Sequence, residues 1–371
     1  MRPPVQRLLL DILSEMLERT KGQHKNVPGV GFRANGKFGV LFVGSHWEKP
    51  PQESGYSEWD VREFSRETGV EMPVLPSPRE RYLWLRRNAW ERWISWRCKR
   101  IRNWWLRIRD LTRAHGKLLF VMTIIPYDHH FPSDRTQWRG KGLSPLTIHR
   151  YHGYDSALFR DVRGMVISRS IPIGADRYFR RSHNRAWWHE PSLADFYRTE
   201  EGGAVEVYFI YWELPTHPDG FRVGPSSPAG RAFLEPLTYA LRTMNPRWIV
   251  LYNWFRATLG RELLLREFCR GFLALPAVPP KPFEWEVDPK PDERLWIRWF
   301  GDRLCVVNDA RRSLTVKLTI PKTLPKGYRL VDLATNETLL VAEKGPLRPM
   351  RVSLRLRPFD LRTLAVMQSG R

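Results

Sequence analysis

Glu213 closes the run Ala204-Val-Glu-Val-Tyr-Phe-Ile-Tyr-Trp-Glu213, beside Trp212 and just before the turn Leu-Pro-Thr-His-Pro-Asp-Gly. A near-continuous apolar run of this kind reads as a buried parallel strand, and the carboxyl end of such a strand faces the active site in an α/β barrel. A carboxylate held ionised there can attack the anomeric carbon of a sugar whose flat face packs on Trp212. That chemistry needs a second carboxyl group across the scissile bond, about 5–5.5 Å away if configuration is retained. Glu48, in His46-Trp47-Glu48, follows the apolar run Phe38–Val43. An apolar neighbour such as Trp47 suits it to general-acid work by raising its pKa. Glu53 and Asp60 are the alternatives for that role.

Other polar residues at the ends of apolar runs would line the same mouth. Tyr127, Asp128, His129 and His130 follow the run ending at Pro126, and Asn253 with Trp254 closes Arg247–Phe255. His and Asp there can satisfy sugar hydroxyls, which are costly to bury unpaired. A metal is the rival use for Asp128, His129 and His130, but adjacent histidines point in different directions and no second ligand cluster matches them. No metal and no cofactor are expected.

These residues require a scaffold of strands alternating with helices. The opening segment, with Pro3 and Pro4 at its start and Asp11 and Glu15 interrupting its leucines, predicts an amphipathic helix rather than a signal peptide or membrane span. Ser57 caps a helix ended by Gly69. Arg79 to His115, with Trp90, Trp93, Ile94, Ile101, Trp105 and Ile108 on one stripe, is a long helical region broken at most once and stopped by Gly116. Lys117–Pro126 is a buried strand, Leu146–Val162 is helical in character, and Met165–Ser168 is a short strand. Ala204–Trp212, the helix Ala229–Met244, the strand Arg247–Phe255 and the helix Glu262–Phe272 complete the series. With Phe38–Val43 as the first strand this makes five β-α steps. The absence of a Gly-rich dinucleotide fingerprint favours a barrel over a doubly wound sheet.

At Leu275 the composition shifts to a proline-stiffened stretch. Beyond it, short alternating runs (Leu295–Phe300, Leu304–Asn308, Ser313–Ile320, Tyr328–Asp332, Leu339–Ala342, Met350–Leu356 and Thr363–Met367) predict a small antiparallel β-sandwich of structural purpose. The expected organisation is a catalytic-type partial (β/α) barrel over 1–274, a linker over 275–293 and the sandwich over 294–371.

Composition narrows the function classes. The formal net charge is +22, but the basic residues are mostly Arg, dispersed and interleaved with Glu and Asp, which argues against a nucleic-acid interface. The 17 Trp residues are mostly helix-packing core, as at Trp90, Trp93, Trp104 and Trp105, whereas Trp47, Trp212 and Trp254 at strand ends suit sugar contact. Cys98, Cys269 and Cys305 have no zinc or disulfide spacing, and Cys98 and Cys269 read as buried thiols. No P-loop, Rossmann fingerprint or Ser-His-Asp order can be argued. A cytoplasmic location is expected, without membrane association.

The stretches GYSEWDVREFSRETGVEMP, WERWISWRCKRIRNWW, YFIYWELP, GRELLLREFCRGFLALP and VVNDARRSLTVKLTI together resemble clan A barrel glycoside hydrolases, most nearly the family 42 β-galactosidase-like enzymes. The resemblance covers most of the chain. It implies a retaining double displacement, with an acid/base Glu after the fourth barrel strand and a nucleophilic Glu after the seventh. Glu213 then takes the nucleophile's place and Glu48 the acid's, although Trp47 stands where the family usually has Asn. The order also implies that the chain opens at the helix before the fourth strand, without the first three β-α units. A partner chain or self-association completing the barrel is therefore expected, since an open flank exposes backbone and apolar surface. Two other readings stand beside the hydrolase: a non-catalytic carbohydrate-binding or assembly subunit on a degenerate barrel, and a basic protein binding an acidic polymer.

Overall fold

The computed structural model describes residues 3–22, 27–34, 55–123, 145–151, 153–174, 198–210, 230–253, 260–292 and 294–368. The first part runs α1 (Pro3–Arg19), β1 (Gly29–Ala34), α2 (Glu58–Thr68), α3 (Pro78–Asn88), α4 (Trp90–Ala114), β2 (Leu118–Thr123), α5 (Pro145–Tyr151) and β3 (Met165–Gly174). It continues with β4 (Ala204–Ile210), a 3-10 turn over Gly230–Leu234, α6 (Glu235–Met244), β5 (Trp248–Asn253) and α7 (Glu262–Leu273). Then come β6 (Lys281–Pro282), β7 (Val287–Asp288), β8 (Leu295–Phe300), β9 (Arg303–Asn308), β10 (Leu314–Ile320), β11 (Tyr328–Asp332), β12 (Glu337–Val341), β13 (Met350–Leu356) and β14 (Asp360–Gln368).

The first five strands form one sheet in the order β1-β2-β3-β4-β5, and the β1–β2 and β2–β3 pairings are parallel. Strand order follows chain order without the reversal that marks a doubly wound sheet, so this is a partial barrel-type sheet of successive β-α units. Leu119, Val121, Met165 and Ile167 turn one face toward Leu13 and Leu17 of α1 and Trp104, Trp105 and Ile108 of α4, in one buried core. On the opposite face Gly29 leaves room for its neighbour, since a Cβ there would come within 2.7 Å of the Phe120 ring.

The helices between β1 and β2 follow from local chemistry. Ser57 accepts from the Asp60 amide at the start of α2, and Ser77 with Glu80 forms a capping box opening α3. The expected single break in the long helical region falls at Ala89. Tyr56, Phe64, Leu85, Trp93, Ile94 and Cys98 then form a second, aromatic-rich core.

Three expectations are revised. The first strand is Gly29–Ala34, while Phe38–Val43 lies outside the described residues. β3 runs to Gly174 rather than stopping at Ser168. The stretch 275–293 is not all linker: β6 pairs with β8 and β7 with β10, so its chain is built into the antiparallel sheets. The chain divides into two compact units, Met1–Ser170 with Ser192–Glu206 and Ile171–Pro191 with Val207–Arg371.

Within that second unit the sandwich has a three-stranded sheet, β13-β10-β7, and a six-stranded sheet, β12-β11-β14-β9-β8-β6. Val316, Leu318, Val352 and Leu354 of the smaller sheet share a core with Ile297, Val306, Leu330 and Leu364 of the larger. α7 packs close: a Cβ on Gly271 would stand 3.1 Å from the Ala334 Cβ, and Thr363 donates to the Gly271 carbonyl at 2.8 Å. Arg231 reaches the buried Asp360 at 2.5 Å, and Arg242 reaches the buried Asp309 at 3.0 Å. No described helix is long and apolar enough to cross a membrane.

Candidate functional site

Ala34 pairs with Thr123 and Thr123 with Arg169, so these three positions lie on one line across β1, β2 and β3. The described strands run to Ala34, Thr123, Gly174, Ile210 and Asn253, and the residues that follow each lie outside the described ones. In an α/β barrel the connections departing from the carboxyl ends of the strands carry the chemistry.

Of the residues expected to act, Asn253 is placed as the last residue of β5. Glu213, Glu48, Trp47, Tyr127, Asp128, His129, Trp212 and Trp254 lie outside the described residues, as does His130. In sequence, Trp212 and Glu213 follow Ile210 after Tyr211, and Trp254 adjoins Asn253. Tyr127 to His129 follow Thr123 after Ile124, Ile125 and Pro126. Of the alternative acids, Asp60 is drawn into capping: its amide donates to Ser57 and its carboxylate accepts from the Ser57 hydroxyl, which removes it from the candidates for proton transfer.

A feature not anticipated from sequence lies in α4. Arg97 is 5% exposed, its guanidinium 5.9 Å from the Trp93 ring centroid and near the Tyr56 hydroxyl. Neither Nη atom has a hydrogen-bond partner among the described residues. Burial pushes Arg97 below the ordinary arginine pKa, against the pull of Tyr56. Burial also pushes the Tyr56 phenol up to about 12, against the pull of Arg97. The signal was available in the sequence: Arg97 falls on the same helical stripe as Trp93, Ile101 and Ile108, where an apolar residue is the rule.

Burial raises the pKa of Cys98 to about 12 and raises those of Cys269 and Cys305; Cys269 is half-buried rather than buried. Among the described residues no group of three or more His, Cys, Asp or Glu side chains is disposed to hold a metal ion.

No protein-family model matches the chain, and no curated protein matches it. Solved structures with some likeness include an Anoxybacillus α-amylase (11% identity, TM-score 0.29, covering 73% of this chain and 57% of that one). A putative α-galactosidase from Bacteroides fragilis aligns at 10% identity and TM-score 0.28, covering 73% and 65%. A GH30 endoxylanase from Clostridium papyrosolvens aligns at 9% and 0.28, covering 72% and 83%. The chain therefore spans less than two thirds of the amylase and the α-galactosidase. Superpositions this loose do not establish a shared activity, and none of the three is a family 42 β-galactosidase.

Proposed function

We propose that the chain is a glycoside hydrolase acting by retaining double displacement, with Glu213 as nucleophile and Glu48 as acid/base. The observation that supports this reading is the strand Ala204–Ile210 in the parallel sheet, whose sequence runs on through Tyr211 into Trp212-Glu213. In the first step a Glu213 carboxylate oxygen bonds to the anomeric carbon, the glycosidic C–O bond breaks, and the leaving oxygen takes the Glu48 proton. In the second step the Glu48 carboxylate removes a proton from water, whose oxygen displaces Glu213 and restores the original configuration. Trp47, Trp212 and Trp254 would stack on sugar rings, and Tyr127, Asp128, His129 and Asn253 would bond hydroxyls. The family 42 resemblance points to β-galactosides as the first substrates to try.

The test is hydrolysis of a panel of aryl glycosides by the wild type and by Glu213→Gln. The variant should fall to background on whichever glycoside the wild type cleaves. Glu48→Gln should cost about 10²–10⁴-fold, least on substrates with acidic leaving groups that need no proton. Activity undiminished in Glu213→Gln rejects the assignment.

A second reading, a carbohydrate-binding subunit without hydrolytic competence, is favoured by Trp47 standing where the family usually has Asn before its acid/base Glu. It requires sugar binding without turnover by the wild type. Binding to Glu213→Gln would then be as tight as to the wild type.

A further inference from the structure

α1 is apolar over more of its circumference than its own core uses. Leu13 and Leu17 are buried, and Leu9 and Leu10 pack beside them against the sheet. Val5, Leu8, Ile12 and Met16 form a second stripe that stays open, at 47%, 59%, 46% and 57% exposure. At 100° per residue the two stripes together span roughly 200°, twice the ~100° that a helix packed on one side needs.

The open stripe has a definite location. On one flank α1 meets α4, where Arg107 donates to the Gln6 side chain and His115 lies 3.4 Å from Glu18. The stripe faces away from that flank. Beneath α1, β1 pairs with β2 on one side and stands at the end of the strand order, so among the described residues its other edge, on the same flank, has no partner. β1 contains no proline.

We propose that this flank is a homodimer interface, in which a second copy packs its α1 against α1 and its β1 against β1. A twofold axis normal to the sheet between the two edges makes both contacts antiparallel. It sets Val5 across from the second copy's Met16 and Leu8 across from its Ile12, so each stripe is its own complement. Specific interfaces bury about 1,200–2,000 Å², more than four side chains per copy supply, and the joined β1 edges provide the remainder.

Charge favours a like chain at this place. The protein carries +22, which opposes self-association over most approaches. Residues 3–22 carry no net charge, because Arg7, Arg19 and Lys21 are balanced by Asp11, Glu15 and Glu18. Two copies can meet here without net repulsion.

Light scattering on the full chain at about 50 µM should give twice the 43.9 kDa chain mass, since dimer population rises with concentration. Leu8→Asp with Ile12→Asp replaces solvent-facing side chains, so the fold persists by circular dichroism while the dimer dissociation constant rises more than about 100-fold. Val5→Cys with Met16→Cys places thiols opposite one another across the twofold axis, and oxidation should yield a covalent dimer. A monomeric mass at that concentration, whether the stripe is bare or covered by other polypeptide, overturns the proposal. So does a dimer that withstands the Asp substitutions, or a failure of the paired cysteines to cross-link.

Discussion

The antiparallel sandwich and the helical layer over the parallel sheet treat buried charge in opposite ways. Asp309, Asp332 and Asp360 are buried in the sandwich unit, and each meets an arginine as well as a further donor. Asp360 accepts from Arg231, from Arg362 and from the Arg357 amide; Asp332 accepts from Arg362, Thr335 and the Ala334 amide. Asp309 accepts from Arg242 and Thr238. Between α2 and α4, by contrast, Arg97 is buried against aromatic rings without a described carboxylate in contact. A completed network fixes one arrangement of the chain. A buried cation without such a network is the kind of perturbed group that gathers near functional surfaces.

The sharpest way to break this contrast is to remove the hub of the sandwich network. Asp360→Ala leaves Arg231 and Arg362 facing one another across a buried site that burial already makes hostile to charge, Arg231 being lowered to about 10. Loss of one partner from such a network costs about 3–5 kcal/mol, read as a lower urea midpoint with an unchanged slope. A loss below about 1 kcal/mol would mean that the network is solvated and the contrast unfounded.

How much of this was readable from residues depends on whether the pattern is local. β8, β11 and β13 fall where the alternation placed them, since every second residue must enter the sandwich core; β13 alternates buried and exposed along its whole length. Ser57 and the break at Ala89 were legible for the same reason, a cap and an interruption being set by neighbours in sequence. β1 was not legible, because Gly29 and Gly31 depress strand propensity and their purpose is seen only against Phe120 and Met122 of the neighbouring strand. β3 was underestimated because Arg169 and Pro172 interrupt its apolar pattern. In the candidate site, Glu213 lies outside the described residues. Arg97 was not legible, being one arginine among many on α4 until its stripe is matched to the core.

A middle-sized effect sharpens the other side of the comparison. The Tyr56 phenol, 2% exposed, is raised by burial from 10.0 to about 12, so the folded protein keeps its proton where the unfolded chain has lost it. Stability from this group is fully present below pH 10 and is lost as pH rises toward 12, by roughly 2–3 kcal/mol at most. Tyr56→Phe cannot ionise and should remove that part of the alkaline loss, measured as unfolding free energy against pH. An identical alkaline profile for the variant would place the Tyr56 hydroxyl in water and dissolve the cluster around Arg97.

Arg97→Met should have the smallest effect, and its sign is the informative part. The guanidinium gains from the Trp93 ring only at the outer reach of a cation–π contact, while burial opposes its charge. Methionine keeps the length and packing of the side chain and removes the desolvation cost, so stability should hold or rise by about 1 kcal/mol. Arg97→Ala should instead lose about 2 kcal/mol or more, through the cavity it leaves beside Trp93. The pair separates charge from volume. If methionine proves as damaging as alanine, Arg97 is paired as fully as the sandwich arginines, and the two regions bury charge by the same rule. If methionine is tolerated while turnover on the best aryl glycoside falls, the charge is retained for function rather than for the fold.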